Sequence, residues 1–270
     1  DMTGAPIVLV SAVPVLRSMG YEVVVLGPSD GGALQLFVDA GAAVITRPGI
    51  RATPNLWGLA LCTDLVLVNT VVMARTVRAL SGTAVPVLWW LHDAFAGYPH
   101  IAHQIPTKLA ENVRLYSVGH HAANAMHAVR PDFQIGQLIY GLPDYAAEDF
   151  PRCDLGYPAD KPLFATVGSF ERRKGHDIFC AAIRLLPEEV RNKATFLFVG
   201  MAADKEMMDA VRSLTTDCPE NVFYCKRLSR DEIKNLMEQC TCLVCASRDD
   251  PMPTFVTEGL IFGKPSIRSE

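Results

Sequence analysis

The sequence predicts an α/β protein made of two Rossmann-like, doubly wound domains with a cleft between them. Along the 270 residues, short apolar runs alternate with longer stretches of helical periodicity. Each apolar run is nearly uninterrupted and ends at Gly, Pro, Asn or Ser, which is typical of strands buried on both faces of a parallel sheet. A polar, proline-bearing stretch at 141–162 divides these runs into two sets.

The N-terminal set combines six predicted strands with three predicted helices. The strands are expected at 21–28, 42–48, 64–70, 85–91, 113–119 and 133–141. The helical patterns lie at 7–20, 32–41 and 70–82. Each of these helical patterns ends at a glycine, where a helix C-cap is expected.

The C-terminal set repeats the alternation with four strands, expected at 162–169, 194–200, 221–225 and 241–247. Helical patterns follow the first three strands, at 175–190, 204–215 and 229–240. A further helix is expected to begin near Thr254 and to run toward Phe262. A new strand is expected to start within the last residues, 263–270.

The polar stretch indicates a domain boundary between about 144 and 160. We therefore expect an N-terminal domain at 1–144 and a C-terminal domain at 145–270. The first strand of the former and the C-terminal end of the latter look absent, so a chain truncated at both ends is expected. Ligands of such sheets bind beyond the carboxyl ends of the strands.

Composition limits the classes of function. Half of the residues are hydrophobic, a fifth are charged, and the net charge of −4 does not favour a nucleic-acid partner. No apolar run reaches the roughly 18 residues of a spanning helix. Eight scattered cysteines do not form a disulfide framework, so the cytoplasm is the expected location. The pair Cys242 and Cys245 is interpreted as core thiols of a strand, with metal or redox chemistry as the alternative.

The first motif with chemical meaning is "VGSFERRKG", residues 167–175. A predicted strand ends at Val167, and three cations follow in succession: Arg172, Arg173 and Lys174. Cations at the carboxyl end of a strand suit a phosphate or diphosphate. A solvated basic turn is the alternative that the residues leave open.

The second motif is "DDPMPTFVTE", in which Asp250 and Glu258 stand eight positions apart. Two prolines fit the start of a helix, whose free N–H groups at Thr254, Phe255 and Val256 would make an anion site. One carboxylate would then reach ligand hydroxyls on each side of that site. The alternative is that Asp250 merely caps the helix and Glu258 is a surface acid.

With both motifs, the chain resembles glycosyltransferase family 4, the retaining "glycosyl transferases group 1" with the GT-B fold. The second motif looks like the E-x7-E signature of that family, and "VGSFERRKG" looks like its phosphate-binding strand and loop. In the N-terminal half, "TGAP" resembles the first glycine-containing loop, and "VLWWLHDA" resembles the segment of the active-site histidine. The resemblance covers nearly the whole chain.

The resemblance implies a nucleotide-diphosphate sugar as donor and assigns roles in its binding. Lys174 would bind the diphosphate, assisted by Arg172 or Arg173. The backbone at Thr254 and Phe255 would cradle the phosphates.

The resemblance also assigns residues to the sugar and to the ribose. Asp250 would bond hydroxyls of the transferred sugar, and Glu258 would hold the ribose hydroxyls. Gly4 would let the first loop approach the diphosphate, and His92 would lie near the sugar or the acceptor. No metal and no further cofactor is implied, because cations and helix amides would neutralise the departing diphosphate.

The sequence departs from the family pattern at several positions. Asp250 stands where the family has Glu, and Ser169 stands where many members have a second phosphate-binding Arg. Lys226 occupies a position in the base-binding loop that is often Gly, and Asp93 replaces a common Glu. Ser169 is still expected to be one of the donor-binding residues, as its place in the loop resembles that of the family's Arg.

Other histidines are weaker candidates. His120 and His121 follow a predicted strand and are interpreted as a polar turn, with a place in the cleft as the alternative. His100 and His103 have metal-like spacing, but the sequence offers no third ligand for them.

The predicted function is a retaining transfer of a sugar to an acceptor hydroxyl, in surface polysaccharide or glycoconjugate assembly. The acceptor would be a carbohydrate or a lipid-linked molecule, and the protein would associate peripherally with the inner face of the membrane. The alternatives are a nucleotide-sugar epimerase of the same fold, or a truncated, non-catalytic module that binds a nucleotide or a partner. A dinucleotide dehydrogenase is disfavoured, because no G-x-G-x-x-G follows a predicted strand.

Overall fold

A computed structural model describes residues 4–28, 31, 33–47, 57–158 and 160–269 of the chain. The chain divides into two compact units, Asp1–Pro143 and Asp144–Glu270. Each unit is described on its own below.

The N-terminal unit alternates helices and strands. In chain order these are α1 (Gly4–Ser18), β1 (Val24–Gly27), α2 (Ala33–Asp39), β2 (Ala43–Thr46), α3 (Trp57–Ala60), β3 (Val66–Asn69), α4 (Ala74–Leu80), β4 (Val87–Leu91), β5 (Val113–Ser117), α5 (His120–His127) and β6 (Ile135–Gln137). Among the described residues, β1 and β2 form a parallel pair, and β3-β4-β5-β6 form a parallel four-stranded sheet.

The core of the N-terminal unit is centred on β4. Its register places Trp89 between Val68 of β3 and Leu115 of β5. The Trp89 ring is fully buried, and its Nε1–H donates to the carbonyl of Thr70 at 2.8 Å. An apolar ring with a satisfied N–H is how a tryptophan is stably buried. The prediction that the "VLWWL" run forms a core strand is confirmed.

Helix α1 is the longest of the described helices, with 15 residues. It begins at Gly4, earlier than the sequence pattern predicted, and it contains Pro14. None of the described helices is both long enough and apolar enough to span a bilayer.

The C-terminal unit follows the same alternation. It contains β7 (Leu163–Val167), α6 (His176–Leu185), α7 (Glu188–Arg191), β8 (Thr195–Val199), α8 (Lys205–Asp217), β9 (Val222–Cys225), α9 (Arg230–Gln239), β10 (Cys242–Cys245), α10 (Thr254–Ile261) and β11 (Ser266–Arg268). The strands form one parallel sheet in the order β11-β10-β7-β8-β9.

Helices cover both faces of this sheet, which is why its central strands are largely apolar. Successive side chains of a strand point to opposite faces. Accordingly, Phe196 and Phe198 pack in the cluster with residues of α6 and α8, whereas Leu197 and Val199 pack in the cluster with residues of α9 and α10. All five residues of β8 are buried. The predicted parallel sheet with two covered faces is confirmed.

The strand order places β7 at the point where the chain changes direction across the sheet. From β7 the chain continues through β8 to β9 on one side, and it later returns to β10 and β11 on the other. Phe164 and Ala165 of β7 pair with Cys242 and Leu243 of β10. The loops that follow β7 and β10 therefore leave the carboxyl edge beside each other and lead to helices on opposite faces of the sheet, and ligands of such sheets bind in the crevice at this point.

Helix α10 lies close to the sheet at Gly259. A Cβ atom there would overlap the side chain of Leu243 in β10, so this close packing requires a glycine. Gly263 is needed for its backbone conformation and not for close packing. It has no described atom near its Cβ position, but its φ of 67° requires the left-handed conformation just after the helix.

Two helix predictions were wrong in detail. The pattern at 175–190 predicted one helix, but α6 ends at Leu185 and α7 begins only after Pro187. Proline has no N–H to continue the helix and disfavours helical geometry in the residue before it. Residues 120 and 121, interpreted as a polar turn, begin α5. The buried side chains of that helix, Ala122, Ala125 and Met126, have helical spacing.

Candidate active site

The loop after β7 carries the three predicted cations. Gly168 and Ser169 follow the strand, and Arg172–Lys174 form a single 3₁₀ turn. Gly175 then takes a left-handed conformation, with φ of 69°, and α6 begins at the next residue. The tight turn therefore holds Lys174 at the carboxyl edge of the sheet.

The loop after β10 is in direct contact with this turn. A Cβ atom on Gly175 would collide with the backbone carbonyl of Ala246. The Arg248 and Asp249 amides both donate to the Arg173 carbonyl, at 2.7 and 3.3 Å. The two loops are thus joined by their backbones.

The side chain of Arg248 reinforces this connection. Its Nη1 donates to the Arg172 carbonyl at 2.9 Å. Its two terminal nitrogens also bind both carboxylate oxygens of Asp177, at 2.8 and 2.7 Å. The hydrogen bond from Arg248 holds the pKa of Asp177 below its ordinary value. One guanidinium therefore links the β10 loop to the turn that carries Lys174 and to the first turn of α6.

Lys174 and Asp250 form an ion pair across the two loops. The side chains are only 17% and 8% exposed. The hypothesis that Asp250 caps α10 is wrong, since Pro253 occupies the N-cap and no side chain caps the helix there. Two residues 76 positions apart in sequence thus become direct neighbours at the crevice.

The N-terminus of α10 offers two free amides. The Val256 and Thr257 amides donate to the Pro253 carbonyl at 3.1 and 3.3 Å, so Val256 is not the free donor that the sequence suggested. The amides of Thr254 and Phe255 have no acceptor within the part of the chain that is described. Together with the helix dipole they provide a local positive potential that suits an anion.

Glu258 is buried within α10, only 6% exposed, so its interpretation as a surface acid is wrong. Its Oε1 accepts a hydrogen bond from Nη1 of Arg230 at 2.7 Å. Arg230 is the first residue of α9. Sequence reasoning missed it, because nothing in the local pattern pairs residues that lie 28 positions apart on different helices.

The remaining polar residues of the β7 loop differ in whether a neighbouring carboxylate already binds them. Nε of Arg173 donates to Glu171 at 2.8 Å, and the Ser169 hydroxyl donates to the same carboxylate. Burial alone would raise the pKa of Glu171, but these hydrogen bonds and the Arg173 charge hold it below the ordinary value. Arg172 is exposed and pairs with no carboxylate among the described residues.

Behind this loop lies a buried histidine, His176, at 2% exposure. Its ring packs against Phe170 with centroids 4.3 Å apart. Neither ring nitrogen has a hydrogen-bond partner among the described residues. Burial, assisted by the nearby charge of Lys174, lowers the pKa of His176 from 6.5 to about 4.

In the N-terminal unit, His92 directly follows β4. Its Nε2 is buried without a hydrogen-bond partner in the described part of the chain. The ring lies edge-on to Trp90, with centroids 4.4 Å apart. Burial lowers the pKa of His92 from 6.5 to about 4, so the ring is neutral at pH 7.

The neighbouring strand β3 is followed by a strained residue. Thr70 has φ of 71° and ψ of 161°, and it is the one non-glycine residue with positive φ in the described part of the chain. Its amide donates to the Trp90 carbonyl at 2.8 Å, and the next amide, of Val71, donates to Asp93 at 2.6 Å. Strain that is maintained in this way is common at functional sites.

Other predicted residues contribute less to a described site. Gly4 is the first residue of α1. Residues 1–3, which belong to the first loop that the resemblance implied, lie outside the described residues. All eight cysteines are free, and Cys242 and Cys245 are buried in β10, as the strand interpretation predicted. Within the described residues, no three His, Cys, Asp or Glu side chains form a group that could hold a metal.

Family models match both halves of the chain. The model described as "Glycosyl-transferase family 4" matches residues 1–127. The model described as "Glycosyl transferases group 1" matches residues 149–270. No curated protein matches the chain.

Solved structures resemble the chain over nearly its whole length. HepE of Anabaena, in complex with UDP-glucose, has a TM-score of 0.76 at 16% identity, covering 99% of this chain and 77% of its own. WaaG, described as a glycosyltransferase involved in lipopolysaccharide biosynthesis, has a TM-score of 0.72 at 17% identity, with coverages of 99% and 78%. A glycosyltransferase of Rickettsia africae has a TM-score of 0.72 at 14% identity, with coverages of 99% and 76%. These similarities confirm the GT-B fold.

We expect Gly175→Ala to destabilise the C-terminal unit more than Gly156→Ala does. Both glycines have positive φ, 69° and 75°, so each substitution introduces strain of about 1–2 kcal/mol. Only Gly175 also faces a backbone carbonyl, which should add about 1–3 kcal/mol. Urea denaturation of both variants measures the difference, and equal losses would contradict the close contact between the two loops.

We expect His176 to make the stability of the C-terminal unit depend on pH. Because the folded-state pKa of about 4 lies below the ordinary 6.5, stability is full above pH 6.5 and decreases until about pH 4. Between pH 7 and 5 the loss from this one residue should be about 2 kcal/mol. Denaturation at both pH values should show that His176→Leu removes this loss. The exposed-site variant His103→Leu should retain it, and an unchanged pH dependence in His176→Leu would contradict the assignment.

Proposed function

The chain belongs to glycosyltransferase family 4, since family models match both of its halves, and we propose that it transfers a hexose from a nucleotide-diphosphate sugar with retention. The observation that carries the donor-site proposal is the pairing of Lys174 with Asp250 at the crevice. A cation in contact with a carboxylate suits a substrate whose anionic diphosphate is joined directly to a ring bearing hydroxyls.

In this proposal the diphosphate lies between Lys174 and the N-terminus of α10. The free amides of Thr254 and Phe255 donate to phosphate oxygens, and the helix dipole adds to their attraction. Arg172 supplies the second cation, because no described carboxylate neutralises it. Arg173 has a supporting role, since its guanidinium is bonded to Glu171.

The two carboxylates bind hydroxyls on either side of the diphosphate. Asp250 accepts hydrogen bonds from the transferred sugar, and Glu258 accepts them from the ribose. Hydrogen bonds to a charged group contribute about 1.5–3 kcal/mol each. These contacts orient the donor, and the positive groups stabilise charge as the diphosphate departs.

The proposed reaction breaks the bond between the anomeric carbon and a diphosphate oxygen, whose electron pair stays with the diphosphate. The acceptor oxygen forms its bond to the anomeric carbon from the same face, and the acceptor proton passes to the leaving diphosphate oxygen. Lys174, Arg172 and the α10 amides stabilise this leaving group. His92 lies near the sugar in this proposal, and as a neutral ring it can donate or accept a hydrogen bond.

The donor and the acceptor can be proposed only from similar proteins. Because HepE was solved with UDP-glucose, we take a uridine diphosphate hexose as the first donor to test. The description of WaaG supports a role in surface polysaccharide or glycoconjugate assembly. The acceptor would then be a carbohydrate or a lipid-linked molecule, reached by peripheral association with the membrane.

Nucleotide binding tests the donor site directly. In a thermal-shift titration with UDP, GDP, ADP and dTDP, we expect one nucleotide to stabilise the wild type, by about 2.7 kcal/mol at 100 times its Kd. Lys174→Ala should lose this shift, because the diphosphate loses its cation. Lys193→Ala is the matched control, since Lys193 precedes β8 at the opposite edge of the sheet. An unchanged shift in folded Lys174→Ala would remove the basis of the donor site.

Product analysis tests the chemistry. With UDP-glucose and an acceptor, the product should keep the anomeric configuration of the donor, measured from its proton coupling by NMR. A product of inverted configuration would rule out retention. Conversion of the donor sugar to its epimer without any acceptor would instead favour the epimerase alternative, and nucleotide binding without turnover would favour the non-catalytic module.

A further inference from the structure

The proposed ribose-binding acid has a partner that no sequence motif singled out. We propose that Arg230 is a positioning residue that holds Glu258 as a fixed, ionised acceptor for the ribose hydroxyls. This inference rests on the proposed function. To that function the inference adds the residue that determines how well the site distinguishes ribose from deoxyribose nucleotides.

The first argument is the burial of Glu258. Its side chain is 8% exposed, and a buried carboxylate is strongly disfavoured unless an opposite charge compensates it. The Arg230 guanidinium, 2.7 Å away, makes the ion pair with it. Without this partner, the buried carboxylate would be favoured to turn toward solvent, and it would lose the fixed position in which it accepts hydroxyls.

The second argument is that Arg230 is itself held in place. The residue before it, Ser229, forms a capping box with Glu232, which fixes the start of α9. The Arg230 guanidinium also lies over the ring of Tyr145, 4.8 Å from its centroid. An arginine that is fixed at its backbone and stacked at its head provides a rigid anchor for a carboxylate.

The third argument is the geometry of the pair. Arg230 donates its hydrogen bond to Oε1 of Glu258, so this contact leaves the second carboxylate oxygen, Oε2, unoccupied. A carboxylate can accept about four hydrogen bonds over its two oxygens. Holding one oxygen restricts the orientation of the carboxylate and leaves the other oxygen for ligand hydroxyls.

The chain contains a related arrangement in which the ion pair is more exposed, with side chains 65% and 40% exposed. Arg152 lies over the ring of Phe150, 4.8 Å from the centroid, and forms an ion pair with Glu238 of α9. Arg152 therefore shares with Arg230 the stacking and the contact between the 144–153 segment and α9. Among the described residues, no recorded ion pair or ring contact joins Arg152 to a residue assigned to the donor, so Arg152→Gln serves as the control for a lost contact between this segment and α9.

The experiment compares the binding of UDP and of 2′,3′-dideoxyuridine diphosphate by calorimetry. We expect the wild type to bind UDP at least about 10-fold more tightly, as hydrogen bonds to a charged acceptor imply. Arg230→Gln should reduce this ratio to less than about threefold, mainly by weakening UDP. Arg230→Lys, which keeps the charge, should restore part of the ratio and covers the case in which the neutral variant does not fold. Arg152→Gln should leave the ratio unchanged.

A double variant tests whether Arg230 acts through Glu258, because the effects of two substitutions in one pathway do not add. Glu258→Gln should lower the same ratio, and the double variant with Arg230→Gln should be no worse than either single variant. A wild-type ratio in folded Arg230→Gln, together with a loss in Glu258→Gln, would overturn the role of Arg230 and leave the proposed donor site intact. A wild-type ratio in Glu258→Gln, or no binding of UDP, GDP, ADP or dTDP to the wild type, would overturn the proposed ribose site and this inference with it.

Discussion

The position of β7 in the middle of the C-terminal sheet is the constraint on which the candidate site depends. Because β8 pairs with one side of β7 and β10 with the other, the loops after β7 and β10 leave the same edge beside each other. That adjacency brings Lys174 to Asp250 and lets Arg248 bond the turn that carries Lys174. If β7 and β10 were not neighbours in the sheet, these two loops would not meet, and neither motif would complete the other.

Burial explains why the charges of the site occur in pairs. Lys174 with Asp250 and Arg230 with Glu258 both include a carboxylate that is 8% exposed, where an unpaired charge would be strongly disfavoured. The same low polarity strengthens each interaction with a ligand. A residue that is suited to bind a diphosphate or a hydroxyl is thus also needed to neutralise its neighbour. Stability and ligand binding therefore depend on the same atoms.

The N-terminal unit carries a comparable arrangement at the carboxyl end of β3 and β4. The strained backbone of Thr70 is fixed by hydrogen bonds to the strand that leads into His92. His92 keeps a buried nitrogen without a partner among the described residues, which is unfavourable unless another function maintains it. In both units, the residues with unusual environments therefore lie at the carboxyl ends of strands, as the general rule for such sheets predicts.

The sequence by itself determined the strands, most helix positions, the two motif loops and the fold family. Each of these depends on local patterns, such as continuous apolar runs, the glycine after Lys174 and the prolines before α10, so a few neighbouring residues were sufficient. Even the break before α7 was marked locally by Pro187. Only the tertiary structure decided that Glu258 is buried against Arg230 and that Arg248 binds Asp177. These pairs join residues 28 and 71 positions apart, and the order of the strands and the packing of helices, not local periodicity, bring them together.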